Sequence, residues 1–203
     1  MRINLFRKNL ITKALIGGFI IASVFSFVCY DSNCKNLEDK VLRLHVKANS
    51  DSAEDQQIKL AVKDKVFTFV SDISEDCNSI TSAEGVVTAN LDLISSVANE
   101  YLDYIGADYR AKVYIDNSFF GTRDYGSFAL PAGRYKALRV DLGRAEGENW
   151  WCAVYPALCI SSSAKFDDFS DNEVKIITKE SSAYEIRFKF YEIYRRLADA
   201  LSK

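Results

Sequence analysis

Residues 41–52 read VLRLHVKANSDS, and this stretch decides the fold. Leu42, Leu44 and Val46 alternate with Arg43, His45 and Lys47, a period of two that makes a strand with one apolar and one basic face. The turn Ala48-Asn-Ser-Asp-Ser52 ends it. Ser52, followed three residues later by Asp55, is the capping signature of a helix. The apolar stripe of that helix is Ile58, Ala61, Val62, Val66, Phe69, Val70 and Ile73, at spacings of three and four. Thr81 with Glu84 signals a second helix, whose stripe runs through Val87, Leu91, Ile94, Ala98, Tyr101 and Ile105 to a Gly106 cap.

Beyond Tyr109 the pattern changes. Ala111 to Ile115, Phe119-Phe120, Ala137 to Leu142 and Trp150 to Tyr155 are short strand-like runs separated by glycine and proline. Near the C-terminus Ser182 with Glu185 and the series Ile186, Phe190, Ile193, Leu197 and Leu201 fit one helical face. The expected fold is an α/β (α+β) single domain: an N-terminal strand, two helices, a mostly antiparallel sheet of short strands and a C-terminal helix.

This domain is preceded by a segment of another kind. Arg2, Arg7, Lys8 and Lys13 come before an uncharged run from Ala14 to Tyr30, the arrangement of a signal peptide or membrane anchor. Basic residues retained on the cytoplasmic side direct everything after Asp31 outward. The expected division is therefore 1–30 as signal or anchor and 31–203 as an extracytoplasmic domain. The apolar run lies between the length of a cleavable segment and the ~20 residues that span a bilayer, so cleavage and retention both stay open. The first 30 residues hold four basic and no acidic side chains, which leaves 22 basic against 28 acidic downstream, a formal charge of −6. That balance excludes a nucleic-acid binder.

Cys152 and Cys159 enclose the short loop AVYPAL and are the favoured disulfide pair, with free buried thiols as the alternative. The cysteine spacing offers no structural zinc site, and neither a metal nor a cofactor is expected. The single histidine, His45, would have to carry any imidazole chemistry, paired with a carboxylate or with a thiol of Cys152 or Cys159. The plainer reading is a hydrogen-bonded histidine whose pKa is lowered by Arg43 and Lys47. Gly143 to Trp151 lacks the Gly-Lys-Ser/Thr of a phosphate loop and reads as a turn. Trp150 and Trp151 are adjacent, so on a strand they point to opposite faces. Either one of them is an interface anchor together with Arg123, Tyr125, Arg134 and Arg139, or helices cover both faces of the sheet.

At these residues the sequence resembles the stage II sporulation protein R family of endospore-forming bacteria. One block runs from Leu42 to Asp64 through Arg43, His45, Asn49, Ser50, Asp51, Asp55, Gln56 and Lys59. A second runs from Tyr125-Gly126 through Leu130-Pro-Ala-Gly133, Tyr135, Ala137 to Val140 and Gly147 to Asn149-Trp-Trp-Cys152, Pro156 and Leu158-Cys159. A weaker third block is Tyr184 to Lys189. Gly121, Ala145 and Ala157 depart from the family pattern, which has proline, glycine and proline there, respectively; all three lie in turns.

The resemblance implies a protein exported by the forespore into the space between the two septal membranes. There it would be required for a membrane-embedded aspartic protease of the mother cell, of the stage II sporulation protein GA type, to process the sigma-E precursor. The expected partners are that protease, the export machinery and, if residues 14–30 are retained, the membrane. The expected partner-binding residues are Arg43, His45, Asn49, Asp51, Arg123, Tyr125, Arg139, Asn149, Trp150 and Trp151. The competing readings are an extracytoplasmic hydrolase using His45 and a septal structural protein.

Overall fold

The computed structural model describes residues 2–126, 128–156, 169–178 and 184–201. The expected strand is β1 (Leu42–Lys47), and the expected first helix is α2 (Ala53–Ile73). Ser52 caps α2 by accepting from the Asp55 backbone N–H at 3.1 Å. The Asp55 carboxylate does not reach back to complete a capping box. It instead accepts from Ser50 Oγ (2.5 Å), Tyr109 Oη (2.7 Å) and Asn49 Nδ2 (3.0 Å). Burial opposes its ionisation, but these donors outweigh burial and hold the carboxyl below its usual range.

The expected second helix is two. α3 (Ile80–Ala89) is capped by Ser79 rather than Thr81, and α4 (Leu91–Tyr104) follows after a break at Asn90. The Asn90 side chain bonds the Val86 carbonyl at 2.8 Å while its backbone leaves helical dihedrals, a competition typical of asparagine. Gly106, at φ +74°, closes α4 as expected. Its N–H reaches Asp103, and that of Ala107 reaches Leu102, the two bonds of a Schellman cap.

Four strands form the main sheet in the order β2-β5-β1-β6, with β2 (Ala111–Phe120), β5 (Gly133–Leu142) and β6 (Asn149–Tyr155). β2 and β5 pair antiparallel, as do β1 and β6. The central pair, β1 with β5, is parallel, which the predicted succession of short strands did not disclose. A two-stranded ribbon, β3 (Arg123–Asp124) with β4 (Ala129–Leu130), stands apart from it.

The connection between β5 and β6 crosses the end of β1. Arg144 N–H donates to Asn49 Oδ1 (3.0 Å), Glu148 N–H to Asp51 Oδ1 (2.6 Å), and Gly147 N–H to the Ala48 carbonyl (3.0 Å). Gly147 lies so close to β1 that a Cβ there would sit 2.2 Å from the Ser50 carbonyl oxygen. Ala145, where the family pattern has glycine, sits at φ +53°, a region that disfavours any side chain.

The alternation in β1 suggests a strand exposed on its basic face, yet β1 is buried on both. Leu42, Leu44 and Val46 meet Val62, Val66, Val70, Ile94 and Ala98 of α2 and α4. The opposite face is covered by the end of α1 (Arg2–Glu38), by α5 (Asp171–Ile177) and by α6 (Tyr184–Leu201). Helix α5 was not expected, although Ser170 and Glu173 form a complete capping box.

Helix α1 runs unbroken past the expected boundary at residue 30. Cys34 and Leu37 are fully buried. Glu38 bonds the Arg134 N–H (2.9 Å) and Arg195 (2.7 Å), and Asp31 accepts from Tyr191 Oη (3.0 Å). The stretch from Leu10 onward is long and apolar enough to cross a membrane. Ser182, half of the expected cap of α6, lies outside the described residues.

Ala145→Gly should raise the unfolding free energy by about 1 kcal/mol, and Gly147→Ala should lower it by more than about 2 kcal/mol. Denaturant titration of the detergent-solubilised chain measures both; unchanged midpoints would contradict this account of the crossing loop.

Candidate partner-binding site

The sheet register lines up Tyr114, Arg139, His45 and Trp151, one from each strand, on the face turned towards α6. Asp141 ties the near end of this row. It accepts from Tyr114 Oη (2.7 Å) and Arg139 Nη2 (3.2 Å), while Ser118 and Asp116 lie at 3.4 and 3.9 Å from Arg139 Nη1.

His45 is 8% exposed and packs its ring against Trp151 (5.6 Å) and Phe120 (5.9 Å). Its Nε2 meets Asn149 Oδ1 at 2.7 Å, which assigns the proton to Nε2. Burial, followed by the Arg139 and Lys47 cations, pulls its pKa down to about 4 against the opposing pull of Asn149 and Asp141. Burial therefore leads where sequence reasoning named the strand's own cations. Cys152 pairs with Leu44 rather than His45, so its thiol lies on the other face of the sheet, and it is engaged in a disulfide. A His45–Cys152 dyad is excluded. Cys159 lies outside the described residues.

Arg43 is fully buried, with its guanidinium 4.2 Å from the Phe120 ring centroid and 5.0 Å from that of Tyr135. Its Nη2 donates to Tyr125 Oη at 2.7 Å, and its Nε and Nη1 have no partner among the described residues. Tyr125, on the β3–β4 ribbon, stacks on Phe128 at 4.6 Å and thereby covers Arg43. Desolvating a cation without a carboxylate costs several kcal/mol, of which the two rings offset roughly 2 kcal/mol each.

Beside this buried cation opens a pocket of about 330 Å³, lined by Phe119, Thr122, Arg123, Trp151, Glu192 and Arg196 among others. Arg123 lies 3.6 Å over the Trp151 ring and has no ion-pair partner among the described residues. Partial burial and the neighbouring Arg43 lower its pKa. Arg196 is paired with Glu192 at 2.7 Å, and the buried Thr122 Oγ1 is unsatisfied among the described residues. The site thus offers an exposed guanidinium lying over an indole, the kind of surface that anchors protein contacts and accepts carboxylates.

Of the expected residues, Arg43, His45, Arg123, Tyr125, Arg139, Asn149 and Trp151 converge on this face. Asn49 and Asp51 are taken up by the crossing loop. Trp150 lies on the other face, under the Lys63 ammonium at 4.8 Å, so helices cover both tryptophan faces in part. Phe120, Thr122, Tyr135, Glu192 and Arg196 were missed. Phe120 was visible as a strand residue, but nothing local in the sequence links α6 to residues 119–123.

Unfolded His45 takes up a proton near pH 6.5 and the folded form only near 4, so its contribution is complete above 6.5 and lost between those values. The difference in unfolding free energy between wild type and His45→Gln should shrink by about 2–3 kcal/mol from pH 7 to pH 4. Thermal melts across that range measure it, and a pH-independent difference would refute the buried neutral imidazole.

A family model described as stage II sporulation protein R matches residues 38–165, which takes in both main sequence blocks, β1 to β6, and stops short of α5 and α6. A stage II sporulation protein R of Bacillus subtilis (strain 168) is 37% identical over 137 residues, covering 68% of this chain and 58% of the relative's own length. No solved structure gives a significant match. With its two motif blocks inside the matched span and its central strand β1 paired to the Asn-Trp-Trp-Cys edge strand β6, the chain belongs to the stage II sporulation protein R family.

Proposed function

We propose that this chain is an exported sporulation signal that activates a membrane-embedded aspartic protease of the mother cell, so that the sigma-E precursor is processed. It would work without catalytic groups of its own, in the space between the forespore and mother-cell membranes. Family membership supports a sporulation role, and the apolar start of α1 is compatible with export or anchoring. An activator must bind the active state of its target more tightly than the inactive one, so it needs a contact surface of high specificity.

The observation that carries this reading is Arg123 on Trp151. A guanidinium 3.6 Å over an indole, without an ion-pair partner among the described residues and in a domain of net negative charge, is suited to an acidic group on a partner. The hydrolase alternative has lost its Cys152 partner, and the His45 Nε2 is held by Asn149.

Sporulating cells carrying Arg123→Glu should process the sigma-E precursor more than about tenfold more slowly, the effect of losing a hot-spot arginine. Arg144→Glu, on the exposed crossing loop, should process it normally. Normal processing with Arg123→Glu would remove this pocket from the contact, whereas normal processing after deletion of the whole gene would overturn the function itself.

A further inference from the structure

Two exposed apolar surfaces meet in this chain. Along α1, Leu15, Phe19, Ile21 and Phe25 are 68%, 75%, 71% and 70% exposed. Along α6, Phe190, Ile193, Leu197 and Leu201 are 70%, 57%, 61% and 88% exposed and recur at spacings of three and four, which places them on one side of the helix. The other side of α6 is used inside the domain, where Phe188 and Tyr191 are buried and Arg195 pairs with Glu38. Helix α6 thus has two apolar faces, and only one of them packs on the domain among the described residues.

We infer that the second face of α6 lies on lipid, in the interface of the same bilayer that α1 enters. The inference rests on α1 remaining attached as a membrane helix and is independent of the protease reading. The uncharged run from Ala14 to Tyr30 has 17 residues. As a helix it reaches about 25 Å, already short of a ~30 Å hydrocarbon core. The run must therefore be used to its end, which puts Phe27 within the bilayer.

The Phe27 ring is nevertheless packed on α6, edge-on to Tyr194 at 5.1 Å and tilted against Tyr191 at 6.4 Å. A side chain in hydrocarbon that also touches α6 brings α6 to the boundary of acyl chains and headgroups. The composition of the contact agrees. Tyr194 beside Phe27 is 40% exposed, and phenols favour that depth. The first charged pair of α1, Asp31 with Lys35 at 2.7 Å, follows directly. On α6 itself the exposed Lys189 borders the stripe, where its stem can lie along it and its charge reach headgroups. The domain would then rest on the membrane through α6 and present the Arg123–Trp151 pocket at a fixed height above it.

The test uses the full chain in vesicles of phosphatidylethanolamine and phosphatidylglycerol, with the photoreactive residue p-benzoyl-phenylalanine replacing Leu197 or, separately, Leu201. A control replaces Tyr104, which is 85% exposed on α4. After irradiation, mass spectrometry should find lipid adducts at 197 and 201 at least about tenfold above those at 104, as an interfacial helix requires. Adducts mainly to a second copy of the chain, or lipid adducts no higher than at 104, would overturn the inference. If the chain fails to enter the vesicles, the membrane reading of α1 falls, and this inference falls with it.

Discussion

A guanidinium without a carboxylate partner among the described residues, packed against Phe120 and Tyr135 at the centre of the sheet, sets the terms for the rest of the molecule. β1 places Arg43 and His45 on the face that a simple two-layer domain would leave to water. Burying that face requires an apolar cover. The cover is drawn from both ends of the chain, the last turns of α1 and the helices α5 and α6, with Tyr125 on its ribbon accepting the side-chain hydrogen bond that Arg43 donates. His45 obeys the same constraint in another way, staying neutral and donating a hydrogen bond to Asn149 Oδ1. The polar face of β1 is thus a buried layer of cation, imidazole and aromatic rings, and the pocket at Arg123 and Trp151 is where that layer reaches the surface.

Much of this was legible in the sequence, and the exceptions have physical causes. The alternation of Leu42 to Lys47, the Ser52 cap and the stripe of α2 are local patterns, and the structure reproduces them. The Gly106 cap is likewise local. Alternation could not reveal the second covering layer, because an arginine and a histidine on a strand read the same whether they face water or a stacked ring. The parallel pairing of β1 with β5 is a long-range choice that short strand-like runs do not encode. The break at Asn90 turned on one side-chain amide bonding a carbonyl four residues back. Helix α5 has a readable start at Ser170 and Glu173, but at seven residues its apolar run is too short to show a helical period.

The candidate site divides along the same line. Trp151, Arg123, Tyr125 and Arg139 are individually the residue types that interfaces favour, and the strand register brings them together. Asn49 and Asp51 carry equally prominent motif positions, but their side chains hold the loop that crosses from β5 to β6 over β1. Ala145 illustrates how a departure from the family pattern acquires a physical meaning. It stands at a backbone angle that suits glycine, so the crossing loop carries strain in this chain that a glycine there would relieve. Glu192 and Arg196 enter the pocket from a helix nearly 70 positions away from Arg123, beyond the reach of any local pattern.

The covering layer also joins the N-terminal helix to the domain. Phe27 and Tyr30 pack on α6, Cys34 and Leu37 are core residues, and Glu38 is clasped by the Arg134 backbone and by Arg195. A leader removed in its entirety would take part of the core with it. The intact mass of the protein recovered from sporulating cells tests this most directly. The account predicts a chain that retains Phe27 to Glu38, whether or not residues before Phe27 are removed. A functional chain whose mature N-terminus lies beyond Glu38 would contradict it.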